Sequence, residues 1–145
     1  MFAVLLKFTA RLLFIVALAV SFSAAGRAAS DAEAIKSVIE GQLNAFAADD
    51  GQTAYSYASP IVKGVFADPD TFMAMVKKGY QPVYRNSART FGDLFEDGLG
   101  RPAMRVVLMG AEGKRYEALY SMEKQQDGSW KISCCVILSI PAQDV

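Results

Sequence analysis

Glu117 is the carboxylate whose sequence surroundings suggest acid–base chemistry. It lies in KRYEALYSMEKQ (114–125), a β-prone run between the glycine turns AEG and QDGS. Closed as two-residue loops, Glu112-Gly113 and Asp127-Gly128 are glycine-ended pairs suited to primed hairpin turns. Leu108 then faces Glu117 and Val106 faces Leu119. Across the second hairpin Glu117 meets Leu138, and Leu119 meets Val136. One sheet face collects Met104, Val106, Leu108, Leu119, Cys134, Val136, Leu138 and Glu117. Covered by helices, a carboxyl in that company is desolvated and its pKa rises. It can then act as a general acid or base, or anchor a polar ligand group. A bulge or a three-residue loop would instead turn Glu117 to water, and an arginine partner would make it commonplace.

Phenol hydroxyls are the other candidate polar groups. Tyr55, Tyr57, Tyr80, Tyr84, Tyr116 and Tyr120 each combine an apolar ring with a polar tip. Most serve as core or rim. Tyr80 and Tyr84, on the connection between helices and sheet, fall nearest a pocket mouth. Asp49-Asp50, at a helix end before Gly51, reads as a turn rather than a catalytic dyad, and further oxygen ligands for a metal are missing. The chain has no histidine, which excludes Ser-His-Asp, Cys-His and zinc–histidine chemistry. Cys134 and Cys135 are adjacent in an apolar strand, where consecutive side chains point to opposite faces, so they read as buried thiols rather than a disulfide. The sequence therefore suggests no metal site and no cofactor.

The elements that must position these groups follow from caps and periodicity. Ser30-Asp31-Ala32-Glu33 reads as a capping box opening a helix from Asp31 to about Ala48, with Ile35, Val38, Ile39, Leu43 and Phe46 on one face. QTAYSYAS forms a short helix ending before Ser59-Pro60. Asp68-Pro69 caps a third helix, TFMAMVKKG, which stops at Gly79. YQPVYR is read as an extended connection. From Arg89 onward four β-prone runs separated by glycine turns predict an antiparallel meander. Helices first and sheet second is the α+β class: N-terminal helices packed on a curved four-stranded antiparallel sheet. The other sheet face, with Arg105, Val107, Met109, Tyr116, Ala118, Tyr120, Met122, Cys135 and Ile137, is too apolar to be simply wet. It predicts a homodimer formed through the sheet.

The N-terminus sets the compartment. Lys7 and Arg11 precede the apolar run LLFIVALAV (12–20), and small residues follow in SFSAAGRAAS. Residues 1–29 read as a cleavable signal peptide cut after Ala25 or Ala28, giving a periplasmic or secreted protein. The alternative is an uncleaved anchor in the inner membrane, although the run is shorter than the roughly 20 residues that cross a bilayer. Residues 30–145 then form a single α+β domain. Of the 15 basic residues, Lys7, Arg11 and Arg27 precede position 30, leaving 12 against 15 acidic and a net charge near −3. That balance argues against nucleic acid as a partner.

The segments ending in AFAADDG, then FMAMVKKGYQPVYR, then YEALYSMEKQQDGSWKISCCVIL resemble an uncharacterised bacterial family, domain of unknown function 4864. Gly79-Tyr80, Pro82-Val83-Tyr84 and Asp127-Gly128-Ser129-Trp130 are the most specific pieces. Where the family has glycine before the cysteine of the last strand, this chain has Cys134. The resemblance implies placement in the nuclear-transport-factor-2-like superfamily, whose fold is a cone of helices on a curved sheet with a pocket between them. That superfamily holds enzymes and non-catalytic modules alike, so no catalytic role carries over. The expectation is a non-catalytic module that binds a small apolar ligand or dimerises. The alternative is an isomerase or dehydratase using Glu117 with a tyrosine as hydrogen-bond donor.

Overall fold

The computed structural model describes residues 26–140. The chain divides into two compact units, Met1–Glu33 and Ala34–Val145. Most of the expected signal segment lies outside the described residues. In the first unit, residues 26–33 are helical. Ser30 therefore starts no helix, and the capping-box reading is corrected; Arg27, Ala28 and Ala29 are themselves strong helix formers.

The second unit opens with α1, helical over 34–47, which buries Ile35, Ile39, Leu43 and Phe46 at one-turn spacing. Asp49, at φ 53°, ends it in the left-handed region that asparagine and aspartate tolerate. α2 (Gly51–Ser56) is capped by Asp50, whose carboxylate accepts from the Thr53 amide at 3.1 Å. α3 (Pro60–Val65) buries none of its residues. α4 (Pro69–Gly79) has Asp68 as N-cap, accepting from the Thr71 amide at 2.7 Å, with Pro69 in its first turn. α5 (Gln81–Tyr84) corrects the extended reading of YQPVYR, because Pro82 sits in the first turn, where its missing N–H costs nothing.

β1 (Asn86–Glu96), β2 (Pro102–Gly110), β3 (Arg115–Lys124) and β4 (Trp130–Ser139) form a meander in sequence order, all antiparallel. The α+β expectation holds: helices followed by a curved, unclosed four-stranded sheet. Irregularities at Asn86/Ala88, Phe91/Leu94 and Ser121/Met122 help to bend it.

The hairpin register differs from the expected one. Gly110 and Lys114 close a three-residue Ala111-Glu112-Gly113 loop with Gly113 at φ 75°, not a two-residue turn. Met104 therefore pairs with Tyr120, Val106 with Ala118 and Leu108 with Tyr116. A one-residue slip turns every side chain of the partner strand over. The β3–β4 loop is also three residues long, Gln126-Asp127-Gly128, but an extra residue at Ser133 restores the expected pairing of Glu117 with Leu138 and Leu119 with Val136. The inner face thus carries Met104, Val106, Leu108, Ala118, Tyr120, Cys135 and Ile137. The outer face carries Arg105, Val107, Met109, Glu117, Leu119, Val136 and Leu138. The β2 assignment stands, and those of β3 and β4 are exchanged.

Candidate functional site

Between helices and sheet lies a cavity of about 250 Å³. Gln42 and Phe46 of α1, Phe72, Met75 and Val76 of α4, and Val83 of α5 form its helical wall. Tyr120 of β3 and Ile132, Ser133, Cys134 and Cys135 of β4 form the sheet wall, and Tyr80 stands between α4 and α5. Ile61, Val62 and Val65 of α3, with Phe66, complete it. Ile61 and Val65 remain 62% and 71% exposed, so α3 gives the mouth an apolar rim.

α3 is held at both ends and packed little between them. The Ser59 amide donates to the Ile132 carbonyl and the Ile132 amide to the Tyr57 carbonyl, each at 2.9 Å, which forms an isolated parallel bridge at Ala58. At the other end the Tyr55 hydroxyl donates to the Phe66 carbonyl at 2.6 Å. Tyr57 lies so close to α1 that a Cβ at Gly41 would collide with its hydroxyl, and a larger residue there would push the Tyr57 ring aside.

No charged side chain lines the cavity. Most of its polar groups are already spent on backbone. Gln42 Nε2 donates to the Ala54 carbonyl at 3.1 Å, the Tyr80 hydroxyl to the Cys135 carbonyl at 3.2 Å, and Ser133 Oγ to the Ser121 carbonyl at 3.0 Å. Burial raises the pKa of Tyr80 and pushes that of Tyr120 well above the ordinary phenol range. Cys135 is part-exposed by area yet ringed by protein atoms, and burial pushes its thiol up to about 12. Neither the two phenols nor this thiol ionises near neutral pH, so none is a ready base or nucleophile.

The residues singled out from sequence separate. Tyr80 lines the cavity. Tyr84 does not: its hydroxyl donates to Asp49, and Arg85 Nη2 bonds both that hydroxyl at 2.9 Å and Asp49 Oδ2 at 2.8 Å. Arg85 Nη1 also donates to the Phe46 carbonyl at 2.7 Å, so the cluster closes the C-terminal end of α1. Its first effect on acidity is the Tyr84 hydrogen bond, which lowers the Asp49 pKa. Glu117 lies on the outer face in an ion pair with Arg105, away from the cavity. The desolvated-acid geometry expected of it is corrected by the three-residue loop. Asp49-Asp50 is a helix end and a helix cap.

Sequence reading missed Gln42, α3 and the inward position of Tyr120. The signal for Tyr120 was parity: a three-residue AEG loop places Tyr116, Ala118 and Tyr120 opposite Leu108, Val106 and Met104. Among the described residues no cluster of three potential metal ligands occurs, and no helix is long and apolar enough to cross a membrane.

No curated protein and no solved structure matches the chain. One family does, over residues 28–145, and it covers both the cavity and the sheet. The chain belongs to that family, described as Domain of unknown function (DUF4864).

Proposed function

We propose that this protein is an exported, non-catalytic module that holds a small apolar molecule in the cavity between its helices and sheet. The observation that carries this reading is the cavity's lining, apolar on every wall, uncharged, and rimmed by the exposed Ile61 and Val65. A preformed apolar cavity with a few polar groups is the usual form of a small-molecule site. Its size exceeds the roughly 150 Å³ that accommodates benzene. The acid–base alternative has no carboxylate in this cavity. Export rests on the N-terminal sequence, and a nuclear-transport-factor-2-like placement agrees with helices laid on a curved sheet.

Titration with the neutral fluorophore N-phenyl-1-naphthylamine tests the reading. Saturable fluorescence enhancement is expected. It should disappear in Val62→Trp, which fills the mouth from a half-exposed position and should leave the fold intact. Absence of saturable binding, or binding indifferent to that substitution, would overturn the proposal.

The outer sheet face favours a second, compatible role. Val136 and Leu138 are 46% and 48% exposed beside Val107, Met109 and Leu119. An apolar face of this kind, crossed by the Arg105–Glu117 ion pair, suits a two-fold pairing of identical copies. Sedimentation equilibrium should find a dimer that Val136→Lys dissociates; a monomer at high concentration would rule it out.

A further inference from the structure

Two buried donors without oxygen acceptors indicate which apolar molecules the cavity prefers, an inference that rests on the ligand-binding reading above. Tyr120 lines the cavity and is 0% exposed, yet its hydroxyl has no oxygen acceptor and hydrogen-bonds instead to the Cys135 thiol. The Cys135 thiol lies beside it, but protonated sulfur is a poor substitute for oxygen as an acceptor. Arg89 pairs across the sheet with the fully buried Leu108 and so projects from the same inner face. Its Nη1 is also buried without a partner, and among the described residues Arg89 makes no ion pair.

The neighbouring arginines behave differently. Arg85 holds Asp49, Arg101 holds Asp97 and Arg105 holds Glu117. A guanidinium stays charged under all ordinary conditions, and a buried charge needs a counter-ion or a full set of hydrogen bonds. Arg89 is half-exposed, but among the described residues it has no ion pair and its buried Nη1 has no acceptor, and the Tyr120 hydroxyl has no oxygen acceptor either. An anionic oxygen group in the cavity would give the Tyr120 hydroxyl an oxygen acceptor and Arg89 an opposite charge. We infer that the ligand is a compact apolar molecule with a single anionic head, a monocarboxylate in the simplest case. Its body fills the cavity, and its head accepts from Tyr120 in the field of Arg89. Arg89 stands behind the lining, so it acts through charge while Tyr120 makes the contact. The Arg89 charge works against the larger upward push of burial on the Tyr120 pKa.

Octanoate, octanamide and octylamine share a chain and differ in the head, which makes them suitable probes. Binding is read by calorimetry and by the NMR signal of the Met75 methyl group in the cavity wall. Octanoate should bind about tenfold tighter than octanamide, the margin expected of a charged over a neutral acceptor, with octylamine weakest. Arg89→Met should erase that margin and Arg89→Lys should retain part of it. The isosteric Tyr120→Phe should weaken octanoate and octanamide alike. Equal binding of all three probes, with Met75 responding, overturns the anionic head but leaves the cavity reading intact. Failure of all three together with the neutral fluorophore overturns both. Selectivity unchanged in Arg89→Met, or octanoate affinity unchanged in Tyr120→Phe, means that the two donors hold ordered water, and overturns the inference.

Discussion

The two faces of the sheet resolve their polar groups in opposite ways. On the outer face the arginine and aspartate groups are paired, although Glu123 Oε2 is buried without a partner, while apolar side chains are left bare. Arg105 meets Glu117 and lies 5.7 Å from the Phe95 ring centre, and the Asp97 carboxylate accepts from Ser121 Oγ at 2.7 Å and Arg101 Nε at 2.8 Å. Val136 and Leu138 beside them remain open to solvent. On the inner face the apolar side chains are covered, while the Tyr120 hydroxyl has only a thiol to bond and Arg89 Nη1 has no acceptor. Bare apolar surface costs little in a monomer, whereas an unused buried donor carries its whole desolvation penalty. The outer face is therefore short of apolar cover, and the inner face is short of acceptors.

Thiol reactivity gives the largest contrast. With its thiol pushed up to about 12, Cys135 should react with a maleimide at pH 8 about a thousandfold more slowly than an ordinary cysteine of pKa about 8.5. The measurement is labelling in Cys134→Ser, which leaves Cys135 as the sole cysteine. Rapid labelling would mean that the inner face is wetter than described. Truncation comes next. Leu108→Ala should cost about 2–5 kcal/mol in chemical denaturation, whereas Leu138→Ala, half exposed outside, should stay within about 0.5 kcal/mol for the monomer. Similar costs at the two positions would erase the distinction between the faces.

A smaller effect should come from Asp97, whose pKa is held well below the usual carboxylate range, first by the Arg101 amide and then by the Ser121 hydroxyl. A depressed folded-state pKa adds stability above the unfolded value and loses it as pH falls toward the folded one. Asp97→Asn should therefore melt earlier than the parent at pH 7, and the gap should narrow below about pH 4. A gap that does not change with pH would show that charge plays no part in that turn.

Much of this architecture was legible because single residues announced it. Asp68-Pro69 fixed the start of α4, Asp49-Asp50-Gly51 the end of α1, and the glycine-marked turns separated four strands. Register was not legible, because AEG reads equally as a two-residue turn or as a three-residue loop ending in left-handed glycine; both require Gly113. That single ambiguity exchanged Glu117 for Tyr120. α3 left no signal because PIVKGV buries nothing and so shows no stripe, and α5 was hidden by a proline tolerated in a first turn. The cavity itself is a remainder of packing among side chains of four helices and two strands, which no local pattern encodes. Arg89 could have been noticed as a lone cation at an inward position of β1, had the parity of its neighbours been read.

The tethering of α3 has a kinetic meaning as well. Its ends are pinned by the Ala58–Ile132 bridge and the Tyr55–Phe66 hydrogen bond, while none of its own residues is buried. Opening it breaks a few contacts at the edge of the core and leaves the pairing among the four strands intact, so it belongs to the low-energy end of local unfolding. Exchange between cavity and bulk water should then follow the rattling of this one strap rather than the lifetime of the fold. A tightly folded protein of this design could still be a fast-exchanging carrier.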